Sequence, residues 1–177
     1  MWDRPVKIGR INISRVLEVL CYLIAICRNQ CDYRRIYSLA SEVLSMPYYF
    51  EFDPENRILR GCFEGRISDE LLKEFYRLSG VYFERTGARS GITDFSAATS
   101  LDVSPQTIRD LASLPPAILD PELPRFIVAA LPGIFGMARM FELAGQDTRP
   151  NLHVVRTMKE VCVILGITDP KFEPVPA

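Results

Sequence analysis

A chain of 177 residues has room for one domain with an appended segment, and 48% apolar with 24% charged residues is ordinary globular usage. A formal net charge of -1 and a pI near 5.9 exclude the global basic field that would gather nucleic acid. Five cysteines (Cys21, Cys27, Cys31, Cys62, Cys162) without a CxxC pair, and a single histidine, His153, argue against a metal site and predict a reduced, cytoplasmic protein.

The charge is spread unevenly. Residues 1–46 carry seven Lys/Arg against four Asp/Glu, whereas residues 47–177 carry fourteen against eighteen. Residues 16–27 are the most apolar run, yet these twelve positions include Glu18 and fall short of the roughly 20 apolar residues a membrane span needs. Arg4, Lys7, Arg10 and Arg15 precede them as in a secretory leader, but no small-residue cleavage site follows. Residues 1–45 therefore read as an N-terminal extension, either a helix attached to the body or lying on a membrane, or sequence upstream of a working start at Met46. The body is expected over 46–168 and a flexible tail over 169–177.

Within the body, residues 48–53 (YYFEFD) are aromatic and β-prone, and 53–56 (DPEN) have the composition of a tight turn. A second strand over 57–64 should pair with the first as a hairpin and stop at Gly65. Ser68 is a candidate cap for a helix with Asp69 and Glu70 in its first turn and a stop at Gly87; Gly80 suits close packing. Leu71, Leu72, Phe75, Tyr76, Leu78, Tyr82 and Phe83 recur at helical spacing. Residues 90–95 form a short strand effectively ended at Asp94, followed by a polar loop. A helix then opens at Ser104-Pro105, where proline loses no hydrogen bond. Residues 125–131 (RFIVAAL) read as a central parallel strand, and Pro132-Gly133 opens a further helix ending near Gly145. A strand over 152–155 and a capping box at Thr157–Glu160, with a stop at Gly166, complete the pattern. The order β-β-α-β-α-β-α-β-α predicts an α/β domain with a mixed, mainly parallel sheet covered by four helices.

This order resembles that of STAS domains, named for sulfate transporters and anti-sigma-factor antagonists. In anti-sigma-factor antagonists a strand ends in Asp, and an Asp-Ser-Ser-Gly follows eight residues on at a helix start. Asp94 and Asp102 have that spacing, which puts Ser104 at the position of the phosphorylated serine. Val103 and Pro105 depart from the motif. Residues 135–141 (FGMARMF) look like the corresponding helix of the SpoIIAA-like branch. The resemblance implies a non-enzymatic regulatory domain that docks a protein partner, with a homodimer left open. Through related CRAL-TRIO sheets it also implies the competing role, a carrier or sensor of a small hydrophobic ligand.

The expected binding rim joins the 94–104 loop to the 132–139 helix start, offering Asp94, Ser96, Asp102, Ser104, Gly133, Gly136 and Arg139. Phosphorylation of Ser104 would place charge at a helix N-terminus, whereas the plainer role is an N-cap. Asp94 and Asp102 suit acid/base work less well than holding a turn. Gly133 and Gly136 serve either an anion at a helix N-terminus, with Arg139 one turn on, or tight packing on the sheet. Met137, Met140 and Phe141 suit a core or a lipid pocket. No catalytic residue, cofactor or metal ligand is expected, nor a nucleic-acid or membrane partner.

Overall fold

The computed structural model describes residues 47–175. The readings made for residues 1–45, including the apolar run over 16–27, lie outside the described residues. The domain is α/β. Its strands are β1 (Tyr48–Asp53), β2 (Ile58–Ser68), β3 (Ser90–Asp102), β4 (Arg125–Val128), β5 (Leu152–Val155) and β6 (Glu173–Pro174). Its helices are α1 (Asp69–Thr86), α2 (Pro105–Ser113), α3 (Pro132–Ala144) and α4 (Met158–Leu165). They build one mixed sheet in the order β5-β4-β3-β2-β1-β6, with β2 to β5 parallel.

The consecutive strand order decides where the helices go. When each parallel strand is laid on the same side of the last, right-handed crossovers put every connecting helix on one face. Accordingly α1, α2 and α3 bury Leu72, Phe75, Phe83, Ile108, Leu111, Ile134 and Ala138 against Leu59, Phe63, Phe95 and Ile127 of that face. Helix α4 instead leads back to β6 at the far edge of the sheet, beyond β1 and parallel in direction to β2–β5, so the same handedness lays it on the other face. It covers the opposite face, where Val161 meets Ile58, Ile92, Phe126, Val128 and Val155.

The local signals at the helix ends are realised. Ser68 Oγ accepts the Leu71 amide at 3.3 Å, and Ser104 Oγ accepts that of Thr107 at 3.1 Å, behind Pro105. Gly87 and Gly166 end α1 and α4 in the left-handed conformation, with φ of 61° and 66°. The capping box at Thr157 is modified: Glu160 Oε2 accepts the Arg156 amide at 3.4 Å, and Glu160 Oε1 contacts the Thr157 hydroxyl. A Cβ on Gly80 would lie 3.1 Å from the Ala117 carbonyl, the close packing expected there.

Three sequence expectations are corrected. Gly65 does not end β2; at φ 71° it accommodates irregular register, and the strand runs on to Ser68. In consequence residues 96–102 are not a loop, because β3 continues to Asp102 and pairs Ala97 with Glu64 and Asp102 with Ser68. The polar, small side chains of SAATSLD read locally as a turn, but the parallel ladder supplies backbone partners that sequence does not display. Beyond β1 and β4 this part of the sheet is a two-stranded ribbon, from whose tip α1 and α2 start. Finally, the proline-rich segment expected to fray pairs with β1: the Val175 amide reaches Phe50 O at 2.9 Å, and the Lys171 amide reaches Asp53 Oδ2 at 3.1 Å.

Candidate functional site

The extension of β3 separates the residues expected to share a rim. Eight extended residues span about 25 Å, so Asp94 and Asp102 lie at different levels of the sheet. Asp94 is buried on the α4 face between Cys62 and Val128, where Oδ1 accepts the Ser96 amide at 2.9 Å. Its Oδ2 is 3.9 Å from Arg60, whose guanidinium stacks 4.0 Å over the Phe172 ring and also pairs with Glu51. Asp94 thus braces its own strand where the β2–β3 register shifts, rather than a turn, and anchors a packed charge cluster. Ser96 is exposed beside it.

Asp102 and Ser104 sit at the ribbon tip. Asp102 pairs with Arg66, both largely in water, so the pair adds little stability. Ser104 is exposed, and its backbone N–H donates to Asp69 Oδ1 at 2.8 Å while its hydroxyl caps α2. That amide bond, foremost, holds the Asp69 carboxyl below its ordinary value. A shallow polar depression lined by Arg66, Ser68, Asp69, Glu70 and Asp102 adjoins the tip.

At the start of α3, a Cβ added to Gly133 or Gly136 would meet nothing within 4 Å, so these glycines face open space and do not serve tight packing on the sheet. Arg139 pairs with Glu142 on its own helix. None of the seven candidate residues is brought into a common cleft.

The apolar space is elsewhere. An apolar cavity of about 150 Å³ lies between the sheet and helices α1, α2 and α3, walled by Phe75, Phe95, Leu111, Ile118, Met137 and Phe141 among others. Two of the three side chains suggested for a lipid pocket, Met137 and Phe141, line it; Met140 packs nearby in the core. Glycines shape it as well. A Cβ on Gly61 would fall 2.4 Å from Phe75 Cζ, and one on Gly91 would fall 2.7 Å from Ile118 Cδ1.

Two charged side chains also border the cavity, Arg125 and Arg149, both buried. Arg149 closes the C-terminus of α2: Nη1 donates to Ala112 O at 2.9 Å, and Nη2 to Leu114 O at 2.8 Å and to the Tyr76 hydroxyl at 2.6 Å. Carbonyls at a helix C-terminus suit a cation, so Arg149 is satisfied. Arg125 is not. Its Nη2 donates to Ile118 O at 2.8 Å and Asp120 O at 2.6 Å, while Nε and Nη1 have no partner. Burial, and then the neighbouring Arg149 charge, lower its pKa. Sequence reasoning took Arg125 only as the first residue of a strand. The available signal was a lone cation opening a run apolar on both faces.

No protein-family model matches this chain, and no curated protein matches it either. Among the described residues no helix is long and apolar enough to cross a membrane, and no cluster of His, Cys, Asp or Glu is arranged to hold a metal ion.

Proposed function

We propose that this domain is a non-enzymatic binding module that takes a small hydrophobic molecule between its sheet and α1 to α3. The observation that carries this reading is the apolar cavity of about 150 Å³, comparable in volume to an engineered apolar cavity that binds benzene. Well-packed interiors hold few voids larger than a water molecule, and each such void forfeits dispersion contacts. Here the void adjoins two strand glycines whose missing side chains leave Phe75 and Ile118 over the sheet. Filling it with an apolar guest would recover those contacts.

The observed element order also supports a STAS-like regulatory domain as part of the same proposal. Docking of a protein partner at the ribbon tip is a second reading, favoured by Ser104 being exposed beside Asp102 and the polar depression. Gentle purification of the full-length chain followed by native mass spectrometry tests the first reading, together with amide spectra recorded on adding toluene. A released small molecule, or toluene shifts confined to cavity-lining residues, is the expected result. Absence of both, with a stoichiometric protein partner retained instead, would overturn it in favour of docking.

A further inference from the structure

We propose that the cavity selects a small apolar monoanion of the carboxylate class, with Arg125 recognising its charge. This inference rests on the cavity being a binding site, and it adds the chemistry of the guest. Arg125 is only 6% exposed and opens β4, in register with Gly91 of β3 and Leu152 of β5. Residues side by side in a parallel ladder point to the same face, and a Cβ on Gly91 would meet Phe83 and Ile118. Arg125 therefore points to the side covered by α1, the side on which the cavity lies.

Two backbone carbonyls occupy Nη2 and leave the N–H groups of Nε and Nη1 unpaired. Among the described residues no carboxylate lies within ion-pairing distance of Arg125. Buried polar groups in folded proteins are nearly always hydrogen-bonded, and a buried cation without a counter-charge is the costlier case. Arg149 adds a second positive charge while its own donors are engaged, so the local field favours an anion, and of the two arginines Arg125 is the one with donors to give it. The Asp120 carboxylate acts on Arg125 only from beyond ion-pairing distance, and its Oδ1 accepts the Glu122 amide.

The remaining walls decide the class of anion. They are overwhelmingly apolar, so a dianion such as phosphate would lose its hydration without enough donors to replace it. A monoanion with a hydrocarbon body satisfies both halves of the site. A cavity of this volume accommodates on the order of six to ten non-hydrogen atoms, the size of an aryl carboxylate or a short acyl chain.

The test compares three probes of similar shape on the full-length chain near pH 7 by calorimetry: benzoate, benzyl alcohol and toluene. Benzoate should bind about tenfold or more tighter than benzyl alcohol, as a charge-assisted hydrogen bond implies. Arg125→Met should abolish that preference and keep toluene binding. Independently of any variant, the Arg125 Nε–H resonance should shift with benzoate and stay still with toluene. Toluene binding without a benzoate preference, or a preference that survives Arg125→Met, would overturn the carboxylate assignment and leave the cavity reading intact. If none of the three probes binds, both readings fall.

Discussion

Asp69 Oδ1 accepts the backbone N–H of Ser104 at 2.8 Å, so the first residue of α1 ties down the N-cap of α2. The bond exists because β2 and β3 run side by side to Ser68 and Asp102, delivering two helix starts to the same tip. Each start is also capped by its own serine. The tip is therefore cross-linked by polar contacts at the point where a modification at Ser104 would act.

Ser104→Ala should cost about 0.5–2 kcal/mol in urea denaturation, the usual loss for an N-cap. Aspartate caps as well as serine, yet Ser104→Asp should melt below the wild type because its carboxylate would stand near Asp69 and Asp102. Combining Ser104→Asp with Asp69→Asn should recover part of the loss. A Ser104→Asp variant as stable as wild type would show that charge at this tip is unimportant.

Asp53 links the first turn to the C-terminal segment. Its carboxylate accepts amides from Glu55, Asn56 and Lys171, together with the Asn56 side chain. Burial alone would raise its pKa, but those hydrogen bonds outweigh it and hold the group below its ordinary 3.8. A depressed folded value means the stabilisation is complete above that ordinary value and is lost as pH falls through the folded one. Stability curves should therefore steepen downward below about pH 4 in the wild type. The Asp53→Asn variant should show a shallower fall. Asp53→Ala, which strands several donors, should cost about 2–3 kcal/mol near neutral pH.

The glycines should separate by position. Gly61→Ala drives a Cβ into the Phe75 ring and should destabilise by about 1–3 kcal/mol. Gly91→Ala meets only the end of the Ile118 side chain and should cost less. Gly136 lies within α3 facing open space, so Gly136→Ala should stabilise by about 0.5–1 kcal/mol. Chemical denaturation of the three variants gives the order directly.

The two buried arginines should respond differently. Arg149→Met removes donors from the α2 carbonyls and from Tyr76, and should cost about 3 kcal/mol by leaving buried acceptors unpaired. Arg125→Met also strands the Ile118 and Asp120 carbonyls, but it removes a buried cation with two unpartnered nitrogens, so the two effects offset and the variant should be near neutral without ligand. Melting temperatures measured side by side check this.

Cys62 should resist alkylation. Burial, above all, pushes its thiol up to about 12, so hardly any thiolate exists at pH 8. Cys162 is only half-buried on α4. Peptide mapping after brief iodoacetamide treatment should find Cys162 modified before Cys62, and faster labelling of Cys62 would contradict its burial.

Much of this domain was determined by the sequence alone, and those features are local. Ser68, Ser104 and Thr157 cap helices because a side-chain oxygen reaches an amide three residues on, within a single turn. Leu72, Phe75 and Phe83 mark the buried face of α1 by their spacing. The length of β3 was decided only in the tertiary structure, since residues 96–102 become a strand through backbone bonds to a segment some thirty residues earlier. That pairing set Asp94 and Asp102 at different levels of the sheet, with Ser104 at its tip, so a spacing of eight in sequence did not make a common site. The cavity and the unpaired donors of Arg125 were equally invisible in the sequence. They depend on Gly61, Gly91, Ile118 and Arg149 converging from separate elements, and a void or a missing partner is a property of what surrounds a residue, which one-dimensional pattern does not carry.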